Sequence, residues 1–141
     1  MSELYLADTS CWHWARQPAP RAALEAELRR GTVATCAMID AELMVSARGP
    51  RDAEDMTLER RTLHWLSTPD EVWDEMLTTQ RALVNTGRHR SVKLPDLIVA
   101  AVARRHNAIV LHCDHDYDAI AEVTQQSMRW LLPPDQLSPR R

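Results

Sequence analysis

Short β-prone runs separated by helical segments constrain the fold of this chain more than any other feature of its sequence. They occupy residues 4–7 (LYLA), 32–35, 65–68, 109–113 and 128–132. Runs as apolar as the first and fourth suit strands of a parallel sheet that are buried on both faces. Strands that alternate with helices place those helices on both sides of the sheet. We therefore predict an α/β fold with three layers, α/β/α, around a central parallel sheet of four to five strands.

The helices between these runs are predicted at residues 11–15, 21–30, 37–48, 52–64, 70–84, 97–105 and 116–123. Thr9 and Ser10 are expected to cap the first helix, because hydroxyl side chains accept hydrogen bonds from the free amides of a first turn. Pro18 and Pro20 are expected to break that helix from the second. The segment 97–105 is apolar nearly all round, which indicates a helix packed deep against the sheet.

The chain shows no repeat, low-complexity tract or linker that would divide it. Its 141 residues suffice for one domain with its own core, so we predict a single domain over residues 1–141. Glu3 and Asp8 argue against a signal peptide, and no apolar run approaches the length of a membrane span. The three cysteines form no CxxC pair and indicate reduced thiols. We expect a soluble, cytoplasmic protein with no membrane partner.

Four acidic residues stand where a sheet of this kind binds ligands. Asp8 ends the first run, Asp114 follows the fourth, and Asp96 begins the buried helix directly after Pro95. Glu42 lies in the middle of a helix otherwise made largely of apolar residues. Because ligands bind beyond the carboxyl ends of parallel strands, we expect these side chains to gather at one edge of the sheet.

A cluster of carboxylates is stable only when a cation or protons offset its negative charge. Four of them would repel one another, and their pKa values would rise until a positive charge arrived. Carboxylate oxygens select Mg²⁺, with Mn²⁺ as a substitute, over softer metals. A site of this type can activate water and stabilise the leaving oxygen of a phosphodiester. The sequence therefore predicts a metal-dependent phosphodiester hydrolase.

Each acid also has a structural interpretation when taken alone. Asp8 can cap the helix that follows it, and Asp96 can be a first-turn acid favoured by the helix dipole. Glu42 can pair with Arg48 or another basic residue, and Asp114 can begin a helix. The joint placement of the four acids favours a common site.

Longer motifs surround these acids. They are LADTS at Asp8, AMIDAELMVSAR around Glu42, LPDLIVAAVARRHNAIVL around Asp96, and HCDHDYDAIAE, which holds Asp114 and Asp116. In this order, and over the whole chain, they resemble the PIN-domain nucleases, most closely the VapC-type toxins of bacterial toxin–antitoxin pairs. The resemblance implies that Asp8, Glu42, Asp96 and Asp114 bind metal, and that Asp116 joins the site directly or through water.

The resemblance also implies a function and partners. The chain is expected to be a Mg²⁺-dependent endoribonuclease toxin, with Thr9 or Ser10 supporting the site by hydrogen bonding. Its partners are expected to be RNA and a VapB-type antitoxin, in a homodimer or a hetero-oligomer with the antitoxin. The alternative is a catalytically silent PIN-fold module bound to such a partner. A DNA-cleaving relative also stays open, because the same metal chemistry serves both polymers.

Two departures from the family pattern bear on the metal. His112 stands where the family more often has Thr or Ser, and Tyr117 where it often has Phe. The segment HCDHD offers imidazole and thiol beside carboxylate, so zinc is an alternative to magnesium. The favoured interpretation of His112 is a packing role on the other side of the strand.

Charge argues against nucleic-acid binding at first sight. The chain has 17 basic and 20 acidic residues, whereas nucleic-acid binders usually carry a basic excess. Metal binding to several acids would reverse that balance. The polar segment 86–93 is predicted to be a loop that brings basic side chains towards Asp96. The candidates for RNA contact are Arg48, Arg88 and Lys93, with His89 and Arg90 in the same loop.

Two tryptophans follow the first acid closely. Trp12 and Trp14 have two interpretations: they stack on RNA bases, or they anchor a core, a dimer contact or an antitoxin groove.

Overall fold

A parallel sheet forms the centre of the molecule. The computed structural model describes residues 3–137, and within them the strands are β1 (Tyr5–Ala7), β2 (Val33–Thr35), β3 (His64–Trp65), β4 (Ile109–His112) and β5 (Met128–Trp130). Their order across the sheet is β3-β2-β1-β4-β5, and every pairing is parallel. In register, Tyr5 of β1 lies between Val33 of β2 and Ile109 of β4.

Helices connect the strands. They are α1 (Thr9–Trp14), α2 (Pro18–Arg29), α3 (Ala37–Met44), α4 (Pro50–Arg60), α5 (Glu71–Asn85), α6 (Leu94–Arg105) and α7 (Asp116–Thr124), followed by a 3₁₀ turn at Pro134–Gln136. The loop predicted before α6 is confirmed, since residues 86–93 form turns without a helix or strand.

Alternating side chains of the strands build two cores, one on each face of the sheet. Leu6 and Val110 pack with residues of α3, α5, α6 and α7. Ala7 and Leu111 point the other way and pack with residues of α1 and α2. The predicted three-layer α/β/α fold with a parallel sheet is thereby confirmed.

The strand order places the candidate acids. The chain runs from β1 outward to β2 and β3, and then returns to add β4 and β5 on the other side of β1. The order therefore reverses between β1 and β4, and ligands of such sheets bind beyond the carboxyl ends of the strands at this point. Asp8 directly follows β1, and Asp114 lies two residues beyond β4.

Several helix boundaries differ from the prediction. The helix predicted at 52–64 is α4 (Pro50–Arg60), and the one predicted at 97–105 begins at Leu94. Three further differences have a local cause. Asp8, rather than Thr9 or Ser10, is the N-cap of α1, and its side chain accepts a hydrogen bond from the Ser10 amide. Pro18 and Pro20 lie in the first turn of α2, where a proline loses no helical hydrogen bond. They open that helix instead of breaking the one before.

The helix α3 ends at Met44, four residues before the predicted end. Both the amide and the hydroxyl of Ser46 donate to the carbonyl of Leu43. This carbonyl would otherwise accept from the amide of Ala47, so the tight turn at Ser46 stops the helix.

In the part of the chain that the structure describes, none of the helices combines the length and the apolarity that crossing a membrane requires.

Arg60 ties α4 to the rest of the fold. Its guanidinium donates from Nε to Asp40 Oδ1 at 2.9 Å and from Nη2 to Thr35 Oγ1 at 2.8 Å. It also lies 4.3 Å from the ring centroid of Trp12. With the Arg60 side chain only 10% exposed, these contacts are shielded from water. They join α4 to α3, β2 and α1.

We predict that Arg60→Met lowers the free energy of unfolding by about 2 kcal/mol, because Asp40 loses its cationic partner and keeps only the hydrogen bond from the Thr35 hydroxyl. Urea unfolding followed by circular dichroism measures the change. Arg61→Met is the matched control, since Arg61 is exposed, and it is expected to change the stability by less than about 0.5 kcal/mol. Equal losses in the two variants would contradict this role of Arg60.

Candidate metal centre

Three aspartates meet at the carboxyl edge of the sheet. Asp96, Asp114 and Asp116 each offer a carboxylate oxygen, and these atoms all lie within 4.8 Å of one another. Asp96 is in the first turn of α6 and is 4% exposed, whereas the other two are half-buried. We call these three residues the acid cluster.

Main-chain hydrogen bonds orient the two outer acids. The amide of Asp116 donates to Asp114 Oδ1 at 2.9 Å, which curls the loop after β4 into the start of α7. The amide of Lys93 donates to Asp116 Oδ2 at 3.0 Å and so joins the N-terminus of α6 to that of α7. The helix starts are thus held together by the carboxylates that form the site.

Asp8 stands beside the cluster, and both of its carboxylate oxygens accept hydrogen bonds. Its Oδ2 accepts from the Ser10 amide at 3.0 Å and from the Ser10 hydroxyl at 2.7 Å. The Ser10 hydroxyl accepts in turn from the amide of Cys113 at 2.9 Å, which links the ends of β1 and β4. Capping of α1 and a place at the site are therefore compatible roles for Asp8.

Tyr117 connects Asp8 to the acid cluster. Its buried hydroxyl lies 2.7 Å from Asp8 Oδ1 and 3.3 Å from Asp96 Oδ1. Burial and the two neighbouring negative charges raise the pKa of Tyr117 well above its usual value, so the hydroxyl keeps its proton as a donor. The sequence marks Tyr117 only as a replacement for Phe, and the role of this hydroxyl was not predicted. Its place directly after Asp116 was the available signal.

Glu42 faces the site from α3. Its Oε1 accepts a hydrogen bond from the Thr9 hydroxyl at 2.9 Å. Burial raises the pKa of Glu42 despite this hydrogen bond, and the charge of Asp8 raises it further. The apolar composition of the segment around Glu42 does not mean that all of it is buried, because Val45 is 87% exposed. The structural alternative of a pair with Arg48 is wrong, since Arg48 pairs with Asp52 at 3.5 Å.

Lys93 supplies a positive charge to the acid cluster. Its ammonium lies 2.9 Å from Asp114 Oδ2, 2.9 Å from Asp116 Oδ2 and 3.4 Å from Asp96 Oδ2. Burial alone would lower the pKa of Lys93, but its hydrogen bonds to Asp116 and Asp114 raise it above the usual value. The prediction of a basic loop leading to Asp96 was right about the place of Lys93.

The electrostatics of Asp96 set it apart from the other acids. Burial, the hydrogen bond with Asp116 and the charge of Asp8 raise the pKa of Asp96 to about 8. Burial opposes ionisation of Asp116 too, but hydrogen bonds with Asp96 and Lys93 hold the pKa of Asp116 below its usual value. One proton is therefore retained near neutral pH between two adjacent carboxylates.

The acid cluster fits a hard divalent cation. All of its ligand atoms are carboxylate oxygens, the class that Mg²⁺ and Mn²⁺ prefer. Asp96 Oδ2 is buried and accepts no hydrogen bond from the residues that the structure describes. Once Asp96 loses its proton this oxygen is a buried anion with the Lys93 ammonium 3.4 Å away, and a divalent cation would offset its charge more fully. Asp96, Asp114 and Asp116 are the residues that would hold the ion, with Asp8 and Glu42 beside them.

Soft donors stand apart from this cluster. His112 is fully buried, its Nδ1 accepts from the Asp114 amide at 3.2 Å, and its ring packs between Tyr117 and Trp130. His115 pairs with Asp118 at 3.0 Å. The packing role favoured for His112 is confirmed, but its ring lies against Tyr117 and not on the side away from the site. Among residues 3–137 no imidazole or thiol joins the three aspartates. This donor set favours a hard cation over zinc.

The remaining candidates for RNA contact lie outside the cluster. Arg48 has an 87% exposed side chain beyond the end of α3. Arg88 pairs with Glu122 at 2.7 Å on the surface. The indole of Trp12 donates to the carbonyl of Ala7 and lies under Arg60, so it is a packing residue in this part of the fold.

Comparison with known proteins identifies the family. A family model of the PIN domain matches residues 5–123, a range that includes all five predicted acids. The chain belongs to the PIN-domain family. Ribonuclease VapC21 of Mycobacterium tuberculosis is 43% identical to it over 135 residues, which are 95% of this chain and 98% of VapC21. The resemblance found in the sequence motifs is thereby confirmed.

Solved structures share this PIN-domain fold. VapBC-1 from nontypeable Haemophilus influenzae aligns with a TM-score of 0.71 at 17% identity, over 91% of this chain and 98% of that one. VapBC-5 from Mycobacterium tuberculosis, a member of the VapBC family of toxin-antitoxin systems, aligns with a TM-score of 0.51 at 23% identity. That alignment covers 70% of this chain and 79% of the other.

The raised pKa of Asp96 predicts that the stability of this PIN domain depends on pH when EDTA keeps the site free of metal. Between about pH 4 and 8 the folded protein holds a proton on Asp96 that the unfolded chain has lost, so stability falls as pH rises. Burial of His112 lowers its pKa to about 4, below its unperturbed value of 6.5. Between these two pH values the unfolded chain holds a proton that the folded protein lacks, so His112 makes stability rise with pH. From pH 6.5 to 8 the Asp96 effect outweighs that of His112, because the unfolded imidazole is already half-deprotonated at pH 6.5 and loses the rest of its protons over this range.

Urea unfolding at pH 6.5 and 8 in EDTA tests this prediction. The free energy of unfolding is expected to fall more steeply for the wild type than for Asp96→Asn, which cannot titrate at this position. Asp118→Asn, which changes an acid just beyond the cluster, is expected to keep the wild-type slope. The account of Asp96 is wrong if Asp96→Asn shows the same fall as the wild type.

Proposed function

We propose that this chain is a Mg²⁺-dependent endoribonuclease that acts in the cytoplasm as the toxin of a toxin–antitoxin pair. The observation that carries the proposal is the acid cluster, with its buried and under-bonded Asp96, at the point where the strand order reverses. VapC21, a named ribonuclease, is similar over nearly the whole chain and supports RNA as the substrate. A single domain over residues 1–141 carries the activity in this proposal.

The acid cluster holds the metal in this proposal, with Asp8 and Glu42 as additional ligands. A divalent ion held by these residues would supply a positive charge to activate water and to stabilise the leaving oxygen of a phosphodiester. Asp8 Oδ2 already accepts two hydrogen bonds, so Oδ1, which accepts one, is the oxygen with capacity for a further contact. Ser10 and Tyr117 fix the direction of that carboxylate.

Glu42 is oriented for the ligand role by a neighbouring hydroxyl. The Thr9 hydroxyl donates to Glu42 Oε1 at 2.9 Å and so holds this side chain next to Asp8. Arg48, Arg88 and Lys93 remain our candidates for contacts with the RNA backbone, since phosphates are bound mainly through basic side chains. Of these three, Lys93 lies at the acid cluster itself.

Cleavage of cellular RNA by the purified, antitoxin-free protein tests the function. We expect discrete fragments with Mg²⁺ or Mn²⁺ and none with EDTA. Asp96→Asn is expected to lower the rate by roughly 100-fold or more, because it removes a charged ligand of the site. Asp118→Asn, outside the acid cluster, is the matched control and should cleave at nearly the wild-type rate.

The outcome separates the two functions considered above. Fragments that depend on metal and on Asp96 establish the nuclease, and their ends identify the target RNA. A folded protein that cleaves no RNA with any of these metals would instead favour the catalytically silent interaction module.

We further propose that a VapB-type antitoxin binds this chain, in a homodimer or hetero-oligomer. The VapBC structures that share the fold support such a partner. A groove between α3 and α4 offers an apolar surface for it, and is lined by Leu43, Met56, Leu63 and the 58% exposed ring of Trp65. An apolar segment of the antitoxin would bury this surface.

Substitution of Trp65 tests the groove. Trp65→Glu is expected to weaken binding of the cognate antitoxin about tenfold or more, because exposed aromatic residues dominate the energy of such interfaces. Isothermal titration calorimetry measures the affinity. Leu58→Glu introduces the same charge at a 54% exposed position of α4 outside the groove and should leave the affinity unchanged. Unchanged binding by Trp65→Glu would rule out this groove as the docking surface.

A further inference from the structure

Lys93 makes the same contacts that a bound metal ion would need. Its ammonium lies within 3.4 Å of one oxygen from each member of the acid cluster, namely the Oδ2 atoms of Asp96, Asp114 and Asp116. Each of these residues has a single oxygen that faces Lys93. For Asp96 this oxygen is the buried one that accepts no hydrogen bond from the described residues.

The acid cluster does not depend on the ammonium for its shape. Asp114 accepts from the amide of Asp116, and Asp116 accepts from the amide of Lys93 itself. The Tyr117 hydroxyl lies 3.3 Å from the other oxygen of Asp96. Loss of the Lys93 side chain would therefore remove a charge and leave these contacts in place.

We infer that Lys93 is a built-in counter-cation that competes with the divalent ion for the acid cluster, so that its ammonium must leave before the ion can bind. The inference rests on the proposed function, because it takes the acid cluster as the metal site. It assigns Lys93 a role as a positioning residue that sets the metal affinity of the site.

Distances and charge explain the competition. Mg²⁺ binds carboxylate oxygens at about 2.0–2.1 Å, well inside the 2.9 Å that separates Lys93 Nζ from Asp114 and Asp116. An ion shared by the same oxygens would lie close to the ammonium, and two positive charges in a half-buried site repel strongly. The Lys93 side chain is 59% exposed, so it has a route into solvent.

The main chain permits this movement without unfolding of the helix. Lys93 is the N-cap of α6, and its side chain makes no capping hydrogen bond. The amide that holds Asp116 belongs to the backbone and stays in place when the ammonium departs. Side-chain rotation alone is sufficient to exchange one cation for the other.

Metal affinity measures this competition without reference to RNA cleavage. The experiment titrates Mn²⁺ into the purified protein and follows free Mn²⁺ by electron paramagnetic resonance. Lys93→Met is expected to bind Mn²⁺ about tenfold more tightly, since the three ion pairs that compete with the metal are together equivalent to roughly one power of ten in affinity. Lys93→Arg keeps the positive charge and is expected to retain the weaker binding of the wild type.

Arg88→Met is the matched control for charge. It removes one positive charge from the same loop, but Arg88 pairs with Glu122 and not with the acid cluster. Because exposed charges at longer range are screened by salt, we expect less than about a twofold change in its Mn²⁺ affinity. An equal gain in Arg88→Met and Lys93→Met would reduce the effect to net charge and overturn the inference.

Thermal unfolding provides a second readout. Saturating Mn²⁺ is expected to raise the Tm of Lys93→Met by more than that of the wild type, because tighter binding to the folded state stabilises it further. If the wild type binds Mn²⁺ and Lys93→Met binds it no more tightly, the inference is overturned, but the proposed metal site is still supported. If no variant binds Mn²⁺, the proposed site and the inference both fail.

Discussion

A buried carboxylate that faces two other carboxylates is the constraint on which this site depends. Asp96 is 4% exposed, and the oxygen that it turns towards the acid cluster accepts no hydrogen bond within the described structure. Such an arrangement is unfavourable unless a proton or a cation offsets the charge. Three features offset this buried negative charge. They are the proton that Asp96 retains through its raised pKa, the ammonium of Lys93 and the proposed divalent ion.

The sheet topology and the surrounding hydrogen bonds keep the acids together despite their repulsion. Reversal of the strand order between β1 and β4 sets Asp8 near the loop that holds Asp114. Ser10 then bridges the ends of both strands through Asp8 and the Cys113 amide. Tyr117 extends the connection to Asp96. The fold holds its acidic side chains mainly through neutral donors, which leaves negative charge available for a cation.

Much of this arrangement was predictable from the sequence, because strand ends and helix starts follow from local patterns. The apolar run of β4 and the apolar helix α6 set the places of Asp114 and Asp96 without any knowledge of their contacts. The contact of Lys93 with all three acids was not predictable, since it depends on the direction of one flexible side chain. The hydrogen bonds of the Tyr117 hydroxyl could not be predicted either, because its two acceptors, Asp8 and Asp96, come from distant parts of the chain. Helix ends such as Met44 were missed where a single serine redirects a hydrogen bond.

The measurement that tests the central claim most directly is anomalous diffraction from crystals grown with Mn²⁺. The account predicts an anomalous peak in contact with the carboxylates of Asp96, Asp114 and Asp116, with the Lys93 ammonium moved away from them. A well-ordered site without such a peak at saturating Mn²⁺, or a peak bound by other residues, would contradict the assignment of the acid cluster as the metal centre.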